Sequence, residues 1–263
     1  MGNRGESQLS PFCFRNMLMR NIKIVLEYEG TAYHGWQCQA NGISIQQLLE
    51  EKIGIITRER IKVVGSGRTD AGVHALNQVA NFRMESPIGE KNLLDGVNSL
   101  LPRDIAIKSL VEVDAAFHAR RDVISKVYCY QVYNRSVRPA VQRNYTWAVY
   151  PPLDVNRMRQ AAEMLKGTHD FTSFSTVHTD VKDFTRTIKD INIMQDDSGM
   201  IRFLMEADGF LRYMVRTIVG TLVDVGKGKR PAESMPSLLE AKDRNQAGMT
   251  APPQGLFLQE VKY

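Results

Sequence analysis

The sequence predicts an α+β protein made of two similar halves with largely antiparallel sheets. Two observations lead to this class. Each half contains strand-like and helix-like segments without the regular βαβ alternation of parallel-sheet proteins. The same style of succession occurs on both sides of residue 120, although the halves share no detectable sequence identity. With 263 residues, 43% of them apolar, the chain can bury a sizeable core as one large or two modest domains.

Periodicity and turn signals place the elements of the first half. Ser44 and Gln47 form a capping-box pattern that opens a helix, and the apolar residues that follow to Ile56 lie on one helical face. A shorter helix is predicted over residues 91–100. Strands are predicted at four segments, residues 22–28, 61–66, 78–84 and 105–113.

The second half begins with two strands and a capped helix. Asp154 is the predicted N-cap of this helix, which has an apolar face to Leu165 and ends at Gly167. After Gly209, apolar residues from Leu211 to Leu222 at spacings of three and four predict another helix, and a last helix is predicted over 233–244. Strands are predicted at residues 124–133, 145–149, 185–194, 200–207 and 255–261, the last of which is expected to close the sheet.

Composition excludes several classes of protein. No apolar stretch reaches the ~20 residues of a membrane span, and no signal-peptide pattern is present. The cysteines at positions 13, 38 and 129 lack CxxC spacing, and the histidines lack HxxxH spacing. We therefore expect no disulfides and no protein-bound metal. Cysteines without disulfides fit the reducing cytoplasm, so we also expect a cytoplasmic location.

The positive charge is concentrated in one segment. The formal net charge is +5 and the pI is near 9.1. Residues 118–144, here called the basic segment, hold this whole excess together with Tyr128, Tyr130 and Tyr133. The segment indicates either an RNA-binding surface or an edge strand protected by charge. Its basic residues are Arg120, Arg121, Lys126, Arg135, Arg138 and Arg143, against the single acidic residue Asp122.

A glycine-bracketed turn at residues 67–74, G-R-T-D-A-G-V-H, is the most informative motif. It follows an apolar run and sets Asp70 close to Arg68. Glycines allow the chain to bend sharply and present a short side chain. Taken alone, the motif is more typical of an aspartate that only caps a turn or a helix.

Further short motifs decide between these readings. Together with residues 67–74 they resemble the tRNA pseudouridine synthase A family, in family order over nearly the whole chain. They are Y-H-G-W-Q at 33–37, F-H-A-R at 117–120, K-V-Y-C-Y at 126–130, H-D-F-T-S-F at 169–174, R-T-I at 186–188, M-V-R at 214–216 with I-V-G at 218–220, and A-P-P-Q-G-L at 251–256.

The resemblance implies a fold and an activity. The sheets of the two α/β halves would meet in one continuous sheet, with helices on one side and a catalytic cleft between the halves. We expect a flexible N-terminal extension (1–17), an N-terminal domain carrying the Asp70 turn (18–120) and a C-terminal domain completing the cleft (121–263). The family converts uridine to pseudouridine at tRNA positions 38, 39 and 40, without a cofactor, and acts as a homodimer on the anticodon stem-loop.

The resemblance also assigns roles to individual residues. Asp70 is the catalytic carboxylate, and Arg216 pairs with it to keep it ionised. Tyr128 lies against the target uracil and is the candidate acceptor of the C5 proton. Leu256 closes the pocket. The position of Arg68, two residues before Asp70 in the turn, indicates a contact with the cavity left in the RNA stack or with a nearby phosphate; a salt bridge to a surface carboxylate is the alternative.

Two other functions are compatible with the residues. One is a non-catalytic RNA-binding protein of two RRM-like halves that uses the basic segment. The other is a small-molecule enzyme with Asp70 as general base, whose activity would be insensitive to salt because it makes no phosphate contacts.

Overall fold

One mixed sheet with helices packed against it forms the described part of the chain. The computed structural model describes residues 19–40, 42–176 and 181–263, and within them ten strands form a single sheet. Two neighbouring strand pairs of this part are parallel and the others are antiparallel. The expected N-terminal extension, residues 1–17, lies outside the described residues.

The first half contains four strands and two helices. The elements are β1 (Arg20–Tyr28), α1 (Ile45–Thr57), β2 (Val64–Gly65), β3 (His74–Met84), α2 (Glu90–Leu100) and β4 (Ile105–Val113). Helix α1 begins as predicted, because the Ser44 hydroxyl accepts a hydrogen bond from the Gln47 backbone N–H at 3.3 Å.

The second half contains six strands and three helices in its described residues. They are β5 (Ser125–Tyr133), β6 (Trp147–Ala148), α3 (Val155–Glu163), β7 (Gly167–Asp170), β8 (Thr185–Gln195), β9 (Met200–Ala207), α4 (Met214–Gly226), α5 (Met235–Ala241) and β10 (Leu256–Lys262). The predicted cap of α3 is present, since the Asp154 carboxylate accepts a hydrogen bond from the Arg157 N–H at 3.0 Å.

The two halves share one topology. In the first half, β4, β1, β3 and β2 are neighbours in that order, and in the second half β10, β5, β9 and β8 are neighbours in the same relation. Along the chain, each set has the element order βαββαβ. When the four strands of a set are numbered 1 to 4 in chain order, they lie in the sheet in the order 4-1-3-2. The prediction of two similar halves meeting in a continuous sheet is confirmed.

The last strand occupies the centre of the sheet, so the prediction that it closes the sheet is wrong. β10 runs parallel to β3 where Phe257 and Leu258 face His74 and Ala75. On its other side, β10 is antiparallel to β5. β10 therefore joins the halves. β2 pairs with the same strand β3 further along, at Ala80 and Asn81.

Four other predicted elements are shorter in the structure. The helix capped by Asp154 ends at Glu163 and not at Gly167, because Gly167 already begins β7. Of residues 61–66, only Val64–Gly65 is a strand, because the Val63 N–H donates to the Glu50 carboxylate instead of to a neighbouring strand. Of residues 145–149, only Trp147–Ala148 pairs with β5. The helix predicted over 233–244 is reduced to α5, since Lys242 adopts the left-handed conformation with φ 47° and ends it.

The helices cover one face of the sheet. Alternate residues of β1 (Ile22, Ile24, Leu26) and of β9 (Ile201, Phe203, Met205) are fully buried in one hydrophobic core with helices α1 to α5. On the opposite face, Lys23 and Val25 line a shallow open groove. Helix α4 is buried on almost every side. In the described part of the chain, no helix is long and apolar enough to span a membrane.

Candidate active site

A cleft of about 1160 Å³ opens between the two halves. One wall is the turn that connects β2 to β3, residues 66–73. The other wall consists of residues 210–216, where α4 begins, and the floor carries Tyr128 of β5 and Leu256 of β10. The cleft lies beside the junction of the halves, because β2 and β10 use different stretches of the same β3 edge.

The β2–β3 turn is anchored to the sheet by a buried amide. Gln78 of β3 donates to the Gly67 carbonyl at 3.1 Å and accepts from the Ser66 hydroxyl at 2.6 Å. The Thr69 hydroxyl lies 2.9 Å from the Tyr28 hydroxyl, inside the core. These contacts fix the residues that precede Asp70 and therefore the direction of its side chain.

The loop at residues 33–37 supports the turn from its other side. The Trp36 N–H donates to the Thr69 carbonyl at 3.1 Å, and the Gly72 N–H donates to the Tyr33 carbonyl at 3.3 Å. Gly35 has φ +84°, and a Cβ there would lie 2.5 Å from the Thr69 carbonyl oxygen. Only glycine permits this approach, which explains physically why a glycine-containing motif accompanies the Asp70 turn.

Asp70 itself opens a tight turn. The Val73 N–H donates to the Asp70 carbonyl at 3.1 Å, and Gly72 takes the left-handed conformation with φ +77°. The turn thus uses backbone groups for its own closure. The Asp70 carboxylate is left to face the cleft, where its side chain keeps 24% of its exposure.

Arg216 brings a cation to this carboxylate from the other half. Its guanidinium donates to Asp70 at 3.1 Å and to the Ala251 carbonyl at 2.7 Å. Its own carbonyl accepts from the Ala251 N–H at 3.0 Å. The guanidinium also lies over the Tyr213 ring, 5.1 Å from the ring centre. Arg216 is therefore held at several points and offers Asp70 a fixed charge.

Burial and charge act in opposite directions on Asp70. Burial raises the pKa of the Asp70 carboxyl above its ordinary value. The charge and the hydrogen bond of Arg216, followed by the charge of Arg212, lower the same pKa in part. The carboxylate is consequently more basic than an exposed one and depends on its cationic neighbours to stay ionised.

Tyr128 and Leu256 form the apolar part of the cleft. Tyr128 is 7% exposed and packs edge-on against Phe210, with ring centres 5.1 Å apart. Its hydroxyl makes no hydrogen bond to a described residue. Burial, followed by the charges of Tyr28 and Asp70, raises the pKa of the Tyr128 hydroxyl, so this group is a neutral phenol. Leu256 lies on the neighbouring strand, opposite Tyr130.

Five cations and one carboxylate line the cleft in the part that the structure describes: Arg68, Arg120, Lys126, Arg212 and Arg216, with Asp70. Arg68 is exposed and makes no ion pair with a described residue. The excess of positive charge suits a polyanionic ligand.

The basic segment is divided between the cleft and a loop that follows β5. Two of its members, Arg120 and Lys126, line the cleft. Arg135 instead donates to the Ser198 carbonyl in the β8–β9 turn, and Arg143 donates to the Ala140 carbonyl. The reason is that the segment leaves β5 and folds back through a loop. The other cleft cations come from distant parts of the chain.

Two histidines of the short motifs, His74 and His118, are bonded to backbone groups. His74 is 1% exposed, accepts from the Gly30 N–H and lies against the carbonyls of Asn144 and Gln254. Burial lowers the pKa of His74, so it is neutral. His118 accepts backbone N–H groups at the 119–122 turn.

The sequence gives a weak signal for one further residue of the cleft, Lys126, and none for another, Tyr213. Strand alternation places Lys126 on the face of Tyr128, which the cleft confirms. No pattern identifies Tyr213, whose φ of 66° is unusual for a residue with a side chain.

No group of three or more metal-ligating side chains occurs among the described residues.

Comparison with known proteins matches both halves. A family profile described as tRNA pseudouridine synthase matches residues 24–122 and 161–263, more than half of the chain. "tRNA pseudouridine synthase A 2" of Clostridium perfringens is 46% identical over 245 residues, which cover 93% of this chain and 100% of the relative. The "tRNA pseudouridine synthase A" proteins of Acetivibrio thermocellus and of Thermoanaerobacter sp. are 44% and 43% identical, with the same coverage.

Proposed function

Because this chain belongs to the tRNA pseudouridine synthase family, as its short motifs predict, we propose that it isomerises uridine at tRNA positions 38, 39 and 40, with Asp70 as the catalytic carboxylate. The Asp70–Arg216 pair in an otherwise cationic cleft is the observation that carries this proposal. A protein that only binds RNA needs no half-buried carboxylate among these cations. A small-molecule enzyme needs no such excess of positive charge.

The reaction requires few groups. The bond from ribose C1′ to uracil N1 breaks, the base turns, and C1′ joins C5, which then loses its proton while N1 gains one. Atoms and electrons balance without an oxidant or a cofactor. A carboxylate must act on the nucleoside, and the freed uracil must be retained until the new bond forms.

Asp70 is the group that acts on the nucleoside. Its carboxylate faces the cleft and is ionised with the help of Arg216, which lies 3.1 Å away. Because burial raises the pKa of Asp70, the carboxylate is a stronger base and nucleophile than an exposed one. Arg216, held by Ala251 and Tyr213, serves as its positioning residue.

Tyr128 and Leu256 hold the uracil. An aromatic ring that stacks on an extruded base typically contributes ~1–3 kcal/mol, which offsets part of the cost of removing the nucleotide from its helix. The Tyr128 hydroxyl is not engaged by described residues. It accepts the C5 proton while its own proton passes to the uracil N1, which gains one in the overall reaction, because a phenol with a raised pKa does not ionise beforehand. Leu256 closes the apolar side.

The substrate is the anticodon stem-loop of tRNA. Arg68, exposed at the cleft, contacts the RNA where the uridine leaves the stack. The protein can act on three adjacent tRNA positions if it recognises the shape and the backbone of the RNA rather than the base sequence. The protein acts as a cytoplasmic homodimer, with one tRNA contacting both subunits; sedimentation of the purified protein tests the dimer.

Mapping of pseudouridine in a defined substrate tests the proposal. An unmodified tRNA transcript with uridines at 38, 39 and 40, and elsewhere in its loops, is incubated with the purified protein. We expect pseudouridine at 38–40 and unmodified uridine at the other sites. Modification only outside the anticodon stem-loop would refute the assigned site. No modification of any tRNA would refute the activity.

A further inference from the structure

Lys126 is a cation of the cleft without an assigned role. It lies on β5, two residues before Tyr128, so both side chains point to the same face of the sheet. Its strand neighbours across β9 and β10 are Ala207 and Val261, which carry no charge. The side chain is half-buried, and its ammonium makes no hydrogen bond or ion pair with a described residue.

The ammonium is seated against the Asp70 turn. A Cβ at Gly67 would lie 2.6 Å from the Lys126 Nζ atom, so the absence of a side chain at Gly67 makes room for the amine. Arg120 lies close by, with its guanidinium 3.4 Å from the Gly65 carbonyl, and its charge acts on Lys126. Two neighbouring cations are therefore presented to the cleft beside the catalytic turn.

No described carboxylate balances these two charges. Asp70 is the one acidic residue among the described residues that line the cleft, and its partner is Arg216. A pair of cations held together without an anion is unfavourable. Such a pair is stabilised when an anion enters, and the anion that RNA offers is a backbone phosphate.

We propose that the Lys126 ammonium, seated against Gly67 and beside Arg120, binds a non-bridging oxygen of a phosphate that flanks the flipped-out uridine. The inference rests on the proposed function, since it presumes that a uridine enters the cleft. When a nucleotide turns out of its helix, its two flanking phosphates follow it to the rim of the pocket. Lys126 then fixes where the ribose stops relative to Asp70.

A double-mutant cycle between protein and RNA tests this contact. The ligands are anticodon stem-loop RNAs with a neutral methylphosphonate at the phosphate on either the 5′ or the 3′ side of the target uridine. Each protein carries Asp70→Asn, so that the RNA is not converted during titration. Dissociation constants are compared for Lys126 and Lys126→Met proteins.

We expect one of the two neutral phosphates to weaken binding to the Lys126 protein about tenfold, but binding to Lys126→Met less than about twofold. Arg121→Met is the matched control, because Arg121 belongs to the same segment but does not line the cleft. In the Arg121→Met protein, the methylphosphonate should weaken RNA binding as much as it does in the Lys126 protein. Equal losses in the Lys126 and Lys126→Met proteins at both phosphates would overturn the proposal, and this is also the result expected if Lys126 contacted a uracil carbonyl.

A second variant moves the amine without removing its charge. Gly67→Ala places a methyl group where the flexible end of Lys126 lies, so the side chain shifts while the backbone remains. We expect Gly67→Ala to reproduce the reduced methylphosphonate effect with a melting temperature close to that of the parent. If the methylphosphonate weakened binding to a folded Gly67→Ala protein about tenfold, the placement of the Lys126 ammonium against Gly67 would be contradicted.

The pH dependence of RNA affinity provides a further test, in which the charge of Lys126 is removed without shortening its side chain. Burial, followed by the charge of Arg120, lowers the pKa of Lys126 to about 8, so the free protein loses this charge as the pH rises through 8. RNA affinity should fall more from pH 7 to pH 9 with Lys126 than with Lys126→Arg. The other titratable groups that line the cleft, His34, Cys38, Tyr128 and Tyr213, are common to both proteins, as are the RNA bases, and Asp70 is replaced in both. An arginine side chain remains protonated at these pH values. Parallel pH curves for both proteins would refute the contact.

These outcomes are separable from failure of the proposed function. The binding cycle is measured without turnover, so an absent Lys126–phosphate coupling leaves the activity of the unmutated protein untouched. Conversely, absence of pseudouridine formation by the unmutated protein would refute the function, whatever Lys126 binds.

Discussion

The guanidinium of Arg216 donates a 3.1 Å hydrogen bond to the carboxylate of Asp70, although 146 positions of sequence separate the two residues. Asp70 belongs to the first half and Arg216 to helix α4 of the second. The pair forms because β10 joins the two halves side by side. Ionisation of the carboxylate therefore depends on how the halves are assembled.

Removal of the Arg216 charge should move the acid limb of the pH–rate profile. Arg216 lowers the pKa of Asp70 against the effect of burial, so in Arg216→Met that pKa rises further. The ionised, active form then appears only at higher pH. We expect the half-maximal point of kcat/KM on the acid side to shift upward, with a lower plateau, in a pH series of tritium release from C5-labelled tRNA.

Arg212→Met is the graded control for this experiment. The charge of Arg212 also lowers the pKa of Asp70, but with a smaller effect than Arg216 and without a hydrogen bond to the carboxylate. The same limb should shift in the same direction by less. An acid limb that stays in place in both variants would mean that Asp70 is not the group whose ionisation limits the rate.

Tyr128→Phe separates the ring from the hydroxyl. The hydroxyl bonds to no described residue, so its loss should cost little stability. The ring and its packing on Phe210 remain. If the hydroxyl accepts the C5 proton, kcat should fall by about 100-fold or more, with KM nearly unchanged. Steady-state kinetics with tRNA measures both, and an unchanged kcat would leave Tyr128 a stacking role alone.

Gly35→Ala tests the support of the Asp70 turn. The new Cβ would lie 2.5 Å from the Thr69 carbonyl oxygen, and the residue would keep a strained φ near +84°, at a cost of about 1–3 kcal/mol. The Asp70 turn should shift, and kcat should fall in a protein that still folds. Gly89→Ala is the matched control, since nothing lies within 4 Å of its Cβ. Equal activities of the two variants would contradict the support by the 33–37 loop.

Local structure was predictable where short-range chemistry determines it. Ser44 and Asp154 cap α1 and α3 as expected, because each side chain bonds to an N–H three residues away. The position of β10 was not predictable from local pattern, since its partners β3 and β5 are remote in sequence. The strand expected at 61–66 was cut short because both backbone groups of Val63 bond to side chains of α1, its N–H to Glu50 and its carbonyl to Gln46.

The candidate site likewise contains features that local sequence predicts and features that depend on tertiary contacts. The Asp70 turn is visible as glycines around a carboxylate, and the family resemblance supplied Arg216 as its partner. The seat of Lys126 on Gly67 and the stacking of Tyr213 on Arg216 depend on tertiary contacts that no spacing reveals. Charge counting along the chain could not show which members of the basic segment line the cleft, because a loop after β5 brings Arg135 and Arg143 to backbone carbonyls.

The most direct test of the central claim is tritium release from tRNA labelled at uracil C5, compared between the unmutated protein and Asp70→Ala. With a catalytic Asp70, the variant should release no tritium above background, and a filter-binding assay should show tRNA affinity within a few-fold of the parent. Release by Asp70→Ala at the rate of the unmutated protein would contradict the account.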